Sequence, residues 1–129
     1  GGRVASGSCR RICDCGFALI REGRILFKTA EFWSHLKSTG KKRYGIINGD
    51  ATNLKYIDMH RLKYNSGDII ALFTDGFENH FENQAFVSLF TSRGLKNIKN
   101  EIKKIDAKLV SYDAEKFGHE RTLLAAKLN

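Results

Sequence analysis

A short apolar run in the middle of the chain ends in a carboxylate. Residues Ile69–Phe73 are all apolar, and Thr74, Asp75 and Gly76 follow them. A run of this length between turn residues predicts a buried strand, and a glycine directly after Asp75 lets the backbone turn away. The carboxylate would then lie at the sheet edge, open to a cation or a substrate. Thr-Asp-Gly is also ordinary turn chemistry, so the pattern predicts either a ligand or a turn cap at Asp75.

The sequence predicts structural rather than metal-binding roles for the cysteines and for three of the four histidines. Three cysteines lie close together: Cys9, Cys13 and Cys15. A structural zinc site needs four well-placed ligands, and no second cysteine pair follows. Cysteine in an apparent strand is usually a small buried apolar side chain, and an odd number of cysteines predicts a reducing, cytoplasmic setting. Three histidines are predicted to be surface or partly buried side chains: His35, His60 and His80.

The chain is basic, with 22 Lys+Arg against 14 Asp+Glu and a formal net charge of +8. Such a charge raises the possibility of nucleic-acid binding, because lysine and arginine displace counterions from phosphates. The basic residues are spread over separate elements, however, and the five lysines of Leu95–Val110 are mixed with Glu101 and Asp106. That mixture is typical of a solvated helix face and disfavours nucleic acid as a partner. The longest apolar run is far shorter than the ~18 residues of a membrane span, so no membrane partner is predicted.

Strand and helix patterns surround the candidate carboxylate. Extended stretches are predicted at Arg10–Cys15, Gly16–Arg21, Arg24–Thr29, Tyr44–Ile47, Leu54–Tyr64, Ile69–Phe73 and Thr122–Leu128. Helices are predicted at Ala30–Ser38, Glu82–Phe90 and Leu95–Val110, and a polar loop at Ser111–Glu120. The Leu-Leu-Ala-Ala run of the last strand indicates a strand covered on both sides. The order predicts one α+β domain over residues 1–129, with antiparallel strands backed by helices.

Four segments, in order, resemble motifs of one enzyme family. They are Ile12–Leu19 with Asp14, Glu22–Ile25, Gly67–Glu78 with Asp75 and Gly76, and Gly118–Leu124 with His119 and Glu120. Together they resemble the metal-dependent protein phosphatases, that is, the type 2C-like serine/threonine phosphatases and their bacterial sporulation-type relatives. The resemblance covers nearly the whole chain and is closest at residues 75–78.

The resemblance implies a fold, a reaction and a set of site residues. The fold would be an antiparallel β-sandwich flanked by helices. The cofactor would be Mg²⁺ or Mn²⁺, which activates a water molecule to attack the phosphorus of a phosphoserine or phosphothreonine in a protein substrate. Asp75 would be a metal ligand. His119 falls where the family has its final metal-binding aspartate, with Glu120 beside it, so both are candidate ligands. Asp14 and Gly76 would be structural turn residues.

Departures from the family pattern leave alternatives open. The family's DGxGG motif is absent, and its catalytic domains are about twice this length. Together with the lack of an initiator Met, this predicts the C-terminal half of such a domain, with the N-terminal half as a missing partner and no activity for the fragment alone. One alternative is a pseudophosphatase or regulatory binding module of the same fold without catalysis. Another is a basic α+β module that binds nucleic acid or a partner.

Overall fold

A computed structural model describes residues 4–11, 15–29 and 58–129, with side chains described for 15–29 and 61–129. A two-stranded antiparallel sheet pairs β1 (Val4–Arg11) with β4 (Asp58–Asn65). β4 confirms the part of the predicted Leu54–Tyr64 stretch that the structure describes and continues it by one residue, to Asn65. The predicted helix Ala30–Ser38, the predicted strand Tyr44–Ile47 and Asp14 lie outside the described residues.

A four-stranded antiparallel sheet carries the candidate carboxylate. Its strands are β2 (Gly16–Arg21), β3 (Arg24–Lys28), β5 (Ile69–Phe73) and β6 (Leu123–Lys127), in the order β3-β2-β5-β6. The predicted hairpin, the central strand and the last strand are therefore confirmed. Ala71 lies opposite Ala18 on one side and Ala125 on the other. This row of small side chains leaves room for bulky rings above the centre of the sheet.

Short helices and one long helix follow β5. They are a 3-10 helix (Asp75–Glu82), α1 (Gln84–Val87), a second 3-10 helix (Gly94–Asn97), α2 (Ile98–Tyr112) and α3 (Ala114–Phe117). The predicted helix over 95–110 is confirmed. The predicted helix over 82–90 is corrected to four residues, because the Asn83 side chain accepts a hydrogen bond from the Phe86 amide and starts a new helix there. The predicted loop over 111–120 contains α3, which Asp113 caps by accepting from the Lys116 amide.

The helical segments pack on one face of the four-stranded sheet. The buried cluster combines Ala18, Ile20, Ile69, Ala71 and Phe73 of the sheet with Phe77, Phe81, Phe86, Val87 and Phe90 of the segment that follows β5. The apolar stripe of α2 is only partly buried but packs on the same cluster. Because one face of a sheet and one stripe of a helix are apolar, their contact buries both and forms the α+β core. No helix in the described ranges has both the length and the apolar character needed to cross a membrane.

The opposite face of the sheet remains partly open. Leu72 and Leu124 lie opposite each other on β5 and β6, and they are 47% and 67% exposed. The predictions that β5 is fully buried and that the last strand is covered on both sides are therefore wrong. Side chains alternate between the two faces of a strand, and the described helices cover only one of those faces.

The hairpin between β2 and β3 is fixed to the helical layer at its turn. Glu22 and Gly23 have positive φ angles of 45° and 76°, as a two-residue hairpin turn of the type I′ class requires. The Gly23 amide donates to the Phe90 carbonyl at 3.0 Å, and the Ser92 hydroxyl donates to the Glu22 carboxylate at 2.9 Å. The predicted turn at Glu22-Gly23 is confirmed, and these contacts tie the tip of the hairpin to the helices.

Asp68 is the buried carboxylate at the other end of the sheet. It is 1% exposed and accepts two hydrogen bonds from the Arg21 guanidinium, at 2.8 and 2.9 Å. The Arg21 hydrogen bonds hold the pKa of Asp68 below its ordinary value, despite the opposing effect of burial. Since its Oδ2 also accepts from the Asn65 amide, Asp68 joins β2 to the turn that leads into β5.

Candidate functional site

Asp75 lies exposed at the end of β5, as the first residue of the 3-10 helix. The chain on either side of it is tied to the segment that enters β6. The Thr74 amide donates to the Thr122 carbonyl at 3.0 Å, and the Thr122 amide donates to the Thr74 hydroxyl at 2.9 Å. These bonds extend the pairing of β5 with β6 by one residue pair, so the segment before Thr122 is held beside Asp75.

Gly76 allows the two segments to approach closely. A side chain at this position would collide with the Glu120 carbonyl and would come within 2.8 Å of the Arg121 Cβ. Gly76, predicted to be a structural turn residue, is a buried residue of the first turn of the 3-10 helix. Glycine is required here by the contact with residues 120 and 121 rather than by a positive φ angle.

The structure brings two of the predicted site segments together. His119 and Glu120 are both exposed, and the Glu120 carbonyl group borders Gly76. The exposed carboxylates of Asp75 and Glu120 are oxygen donors of the kind that Mg²⁺ and Mn²⁺ prefer. In the part of the chain that the structure describes, no three His, Cys, Asp or Glu side chains gather closely enough to hold a metal. Asp75 and Glu120 thus have suitable donor atoms, but the described residues do not by themselves form a metal site.

A partly buried network beside the His119–Glu120 segment was not predicted from the sequence. Asp106 of α2 accepts two hydrogen bonds from the Arg121 guanidinium, at 2.7 Å from Nε and 2.6 Å from Nη2. His80 Nε2 lies 2.8 Å from the same carboxylate. Arg121 also donates from Nη1 to the His119 carbonyl at 2.7 Å. The network thus connects the 3-10 helix that begins at Asp75 with α2 and with the backbone of the His119–Glu120 segment.

His80 is fully buried in an aromatic cage. Its ring meets those of Phe77, Phe86 and Phe117 at centroid distances of 4.8, 5.4 and 5.2 Å. Since an ionised carboxylate only accepts hydrogen bonds, Nε2 carries a proton and donates a hydrogen bond to Asp106. Nδ1 is buried and has no hydrogen-bond partner among the described residues. His80 is therefore held as the neutral Nε2–H tautomer by one hydrogen bond and three rings.

The pKa values of the pair follow from this environment. Burial lowers the pKa of His80 below 6.5, and it outweighs the opposing hydrogen bond and charge of Asp106. Burial acts to raise the pKa of Asp106, but the hydrogen bonds from Arg121 and His80 outweigh it and leave that pKa below its ordinary value. At neutral pH the site therefore holds a neutral imidazole, an ionised carboxylate and a guanidinium.

His80 makes stability depend on pH. Its folded-state pKa lies below its unfolded value of 6.5, so the unfolded chain takes up the proton first and stability falls as the pH drops below that value. We expect His80→Phe, which fills the cage with a ring that does not titrate, to remove about 1 kcal/mol of the stability loss between pH 7 and pH 5.5. Urea unfolding at several pH values measures this change. Equal pH slopes for the wild type and the variant would show that folding does not shift the pKa of His80.

One signal in the sequence could have located the network. Asp106 is four residues after Ile102 and three before Leu109, so it borders the apolar stripe of α2 rather than its solvent side. A carboxylate at such a position needs a buried donor or cation. Which donors meet it depends on how the helix packs, and that cannot be read from local spacing.

Neither a search of protein families nor a search of curated proteins finds a match. Among solved structures, the X-ray structure of the photosystem II phosphatase PBCP is similar, with a TM-score of 0.49 and 18% sequence identity. The similarity covers 95% of this chain and 58% of that one. This chain thus spans little more than half of the length of the phosphatase chain to which it is similar.

Proposed function

We propose that this chain is the C-terminal part of a metal-dependent serine/threonine phosphatase domain of the type 2C-like class. The observation that carries the proposal is the meeting of two motif-bearing segments at one end of the sheet. The segment of Asp75 and Gly76 follows β5, and the segment of His119 and Glu120 precedes β6. Their order and motifs resemble those of the family, and the α+β architecture is compatible with it.

In this proposal the described residues supply the Asp75 carboxylate and hold the segment before Thr122 beside it. Asp75 would hold Mg²⁺ or Mn²⁺, with Glu120 or His119 as a second ligand from the adjacent segment. When bound, the metal supplies an activated water and neutralises charge on a phosphoryl group. The exposure of Asp75 leaves room for a phosphoserine or phosphothreonine of a protein substrate. The other metal ligands would belong to an upstream half of the domain. The same proposal includes a cytoplasmic location, which the odd number of cysteines favours.

The test compares two carboxylates in the longer protein that the proposal implies. Asp75→Asn should lower Mn²⁺-dependent hydrolysis of p-nitrophenyl phosphate at least about tenfold, since substitutions that only support metal ligands already lower affinity or activity by about 10–100-fold. Glu115→Gln is the control, because Glu115 is an exposed carboxylate on α3 that lies outside the segments resembling the family motifs. The 129-residue chain alone should show no turnover.

Two results would contradict the proposal. Robust Mn²⁺-dependent turnover by the 129-residue chain would exclude the view that it is half of a domain. Near wild-type activity of Asp75→Asn would exclude Asp75 as a ligand. A longer protein that binds neither Mn²⁺ nor Mg²⁺ would favour the alternative, a non-catalytic binding module of the same fold.

A further inference from the structure

The solvent-facing side of α2 carries more lysines than carboxylates. The exposed residues of this helix are Lys99, Asn100, Lys103, Lys104, Ala107, Lys108, Ser111 and Tyr112. We refer to these eight residues as the lysine face. Lys96, in the 3-10 helix just before α2, is exposed as well.

The structure changes the charge balance expected for this face. Asp106, which the sequence pattern placed among the charges of a solvated face, points away from it and pairs with Arg121. Glu101 pairs with Lys104 at 3.3 Å and so offsets one of the four positive charges of the face. In the described ranges, no other carboxylate lies within ion-pair distance of a lysine of the face. The exposed side of α2 is therefore strongly positive.

The lysines form two rows along the helix. At 100° per residue, Lys99 and Lys103 lie along one side of the face, and Lys104 and Lys108 along the other. The short uncharged side chains of Asn100, Ala107 and Ser111 lie between the rows. Each row is a like-charge pair at i,i+4, which destabilises a helix by about 0.2–0.5 kcal/mol. A polyanion lying between the rows would remove this repulsion.

We propose that the lysine face binds single-stranded nucleic acid through its phosphates. The rows extend over about 13 Å, long enough to contact several successive phosphates. Lysine gives charge contacts without the forked geometry of arginine, as suits binding that is independent of sequence. Tyr112 follows the rows and is 87% exposed. An exposed aromatic ring beside basic residues offers a stacking platform for an unpaired base.

Two other anionic partners fit these observations less well. A helix that binds a membrane surface buries its apolar side in the lipid, whereas the apolar side of α2 packs on the protein core. An acidic peptide offers carboxylates, for which paired recognition favours arginine, and the lysine face contains no arginine. The proposal does not depend on the phosphatase proposal, because the lysine face contains none of the candidate metal ligands. At 100° per residue Asp106 lies at the border of the face, beside Lys99, and its carboxylate is paired with Arg121.

The test measures fluorescence anisotropy of a labelled single-stranded oligonucleotide of about 12 nucleotides with the 129-residue chain. With about four phosphate contacts, affinity should fall about 50-fold between 50 and 200 mM salt. The triple variant Lys99→Gln, Lys103→Gln, Lys108→Gln should reduce the slope of log affinity against log salt concentration by about two. It should also lower the affinity at 50 mM salt at least about tenfold. Tyr112→Ala should weaken binding about fivefold or more.

A matched control distinguishes the effect of the lysine face on binding from the effect of the net charge. The triple variant Arg24→Gln, Lys63→Gln, Lys127→Gln removes the same charge from exposed positions in three strands, and it should change affinity less than about threefold. An equal loss in both triple variants would overturn the proposal in favour of non-specific attraction. Tighter binding of polyglutamate or of phosphatidylserine vesicles than of the oligonucleotide would overturn the choice of partner, as would the absence of any oligonucleotide binding.

Discussion

Replacing Phe86 with alanine should lower the free energy of unfolding by about 3–5 kcal/mol. Phe86 is completely buried, and its ring meets those of Phe81 and Phe90 at 5.2 and 5.4 Å. It also contacts the rings of Phe77 and His80. The substitution removes a large apolar side chain and leaves a cavity lined by rigid rings that cannot readily close it. Urea unfolding followed by circular dichroism measures the change.

A graded variant and a control keep this prediction testable if Phe86→Ala fails to fold. Phe86→Leu retains most of the volume and should have a clearly smaller effect. Tyr112→Ala removes a ring that is 87% exposed and should change stability by less than about 0.5 kcal/mol. A change below about 1 kcal/mol for Phe86→Ala would mean that the aromatic cluster is not the centre of the core.

Replacing Asp106 with alanine is expected to lower the free energy of unfolding by about 3 kcal/mol at neutral pH. The carboxylate is the shared acceptor for Arg121 and for buried His80. Its removal leaves an imidazole N–H without a partner inside the aromatic cage and a guanidinium that is only 21% exposed without its counter-charge. The segment that enters β6 also loses its tie to α2, so hydrogen exchange at the Thr122 amide should accelerate.

Glu101→Ala provides the control on the same helix. Glu101 and Lys104 form an exposed ion pair three residues apart, and such pairs contribute about 0–1 kcal/mol. If Asp106→Ala and Glu101→Ala had equal effects, Asp106 would behave as a surface charge and the network would have no structural role. Hydrogen exchange at Thr122 that stays unchanged in Asp106→Ala would mean that the network does not hold that segment.

Local patterns predicted the elements whose side chains repeat regularly. The apolar run Ile69–Phe73 is a strand, and the 3.6-residue stripe of Leu95–Val110 is a helix. The pattern did not predict the 3-10 helix Asp75–Glu82, because Asp-Gly was interpreted as the end of a structured segment. It also failed for the coverage of β6, since an apolar run does not reveal which layer covers each face.

The candidate site was predictable only in its exposed part. Asp75 and Glu120 were identified from motifs, and their segments do meet at one end of the sheet. His80, Asp106 and Arg121 come from three different elements, and their contact depends on how α2 packs against the sheet. Such a contact between distant residues has no local period, so a single sequence gives at most the hint that Asp106 borders an apolar stripe.

The open face of the sheet affects how stability varies with temperature. The heat-capacity change of unfolding arises mainly from apolar surface that enters water only when the chain unfolds. Leu72 and Leu124 already have 47% and 67% of their surface in water in the folded state. They add correspondingly little to that heat-capacity change, which flattens the curve of stability against temperature. The rings packed on the other face of the same strands are buried and contribute more to this heat-capacity change.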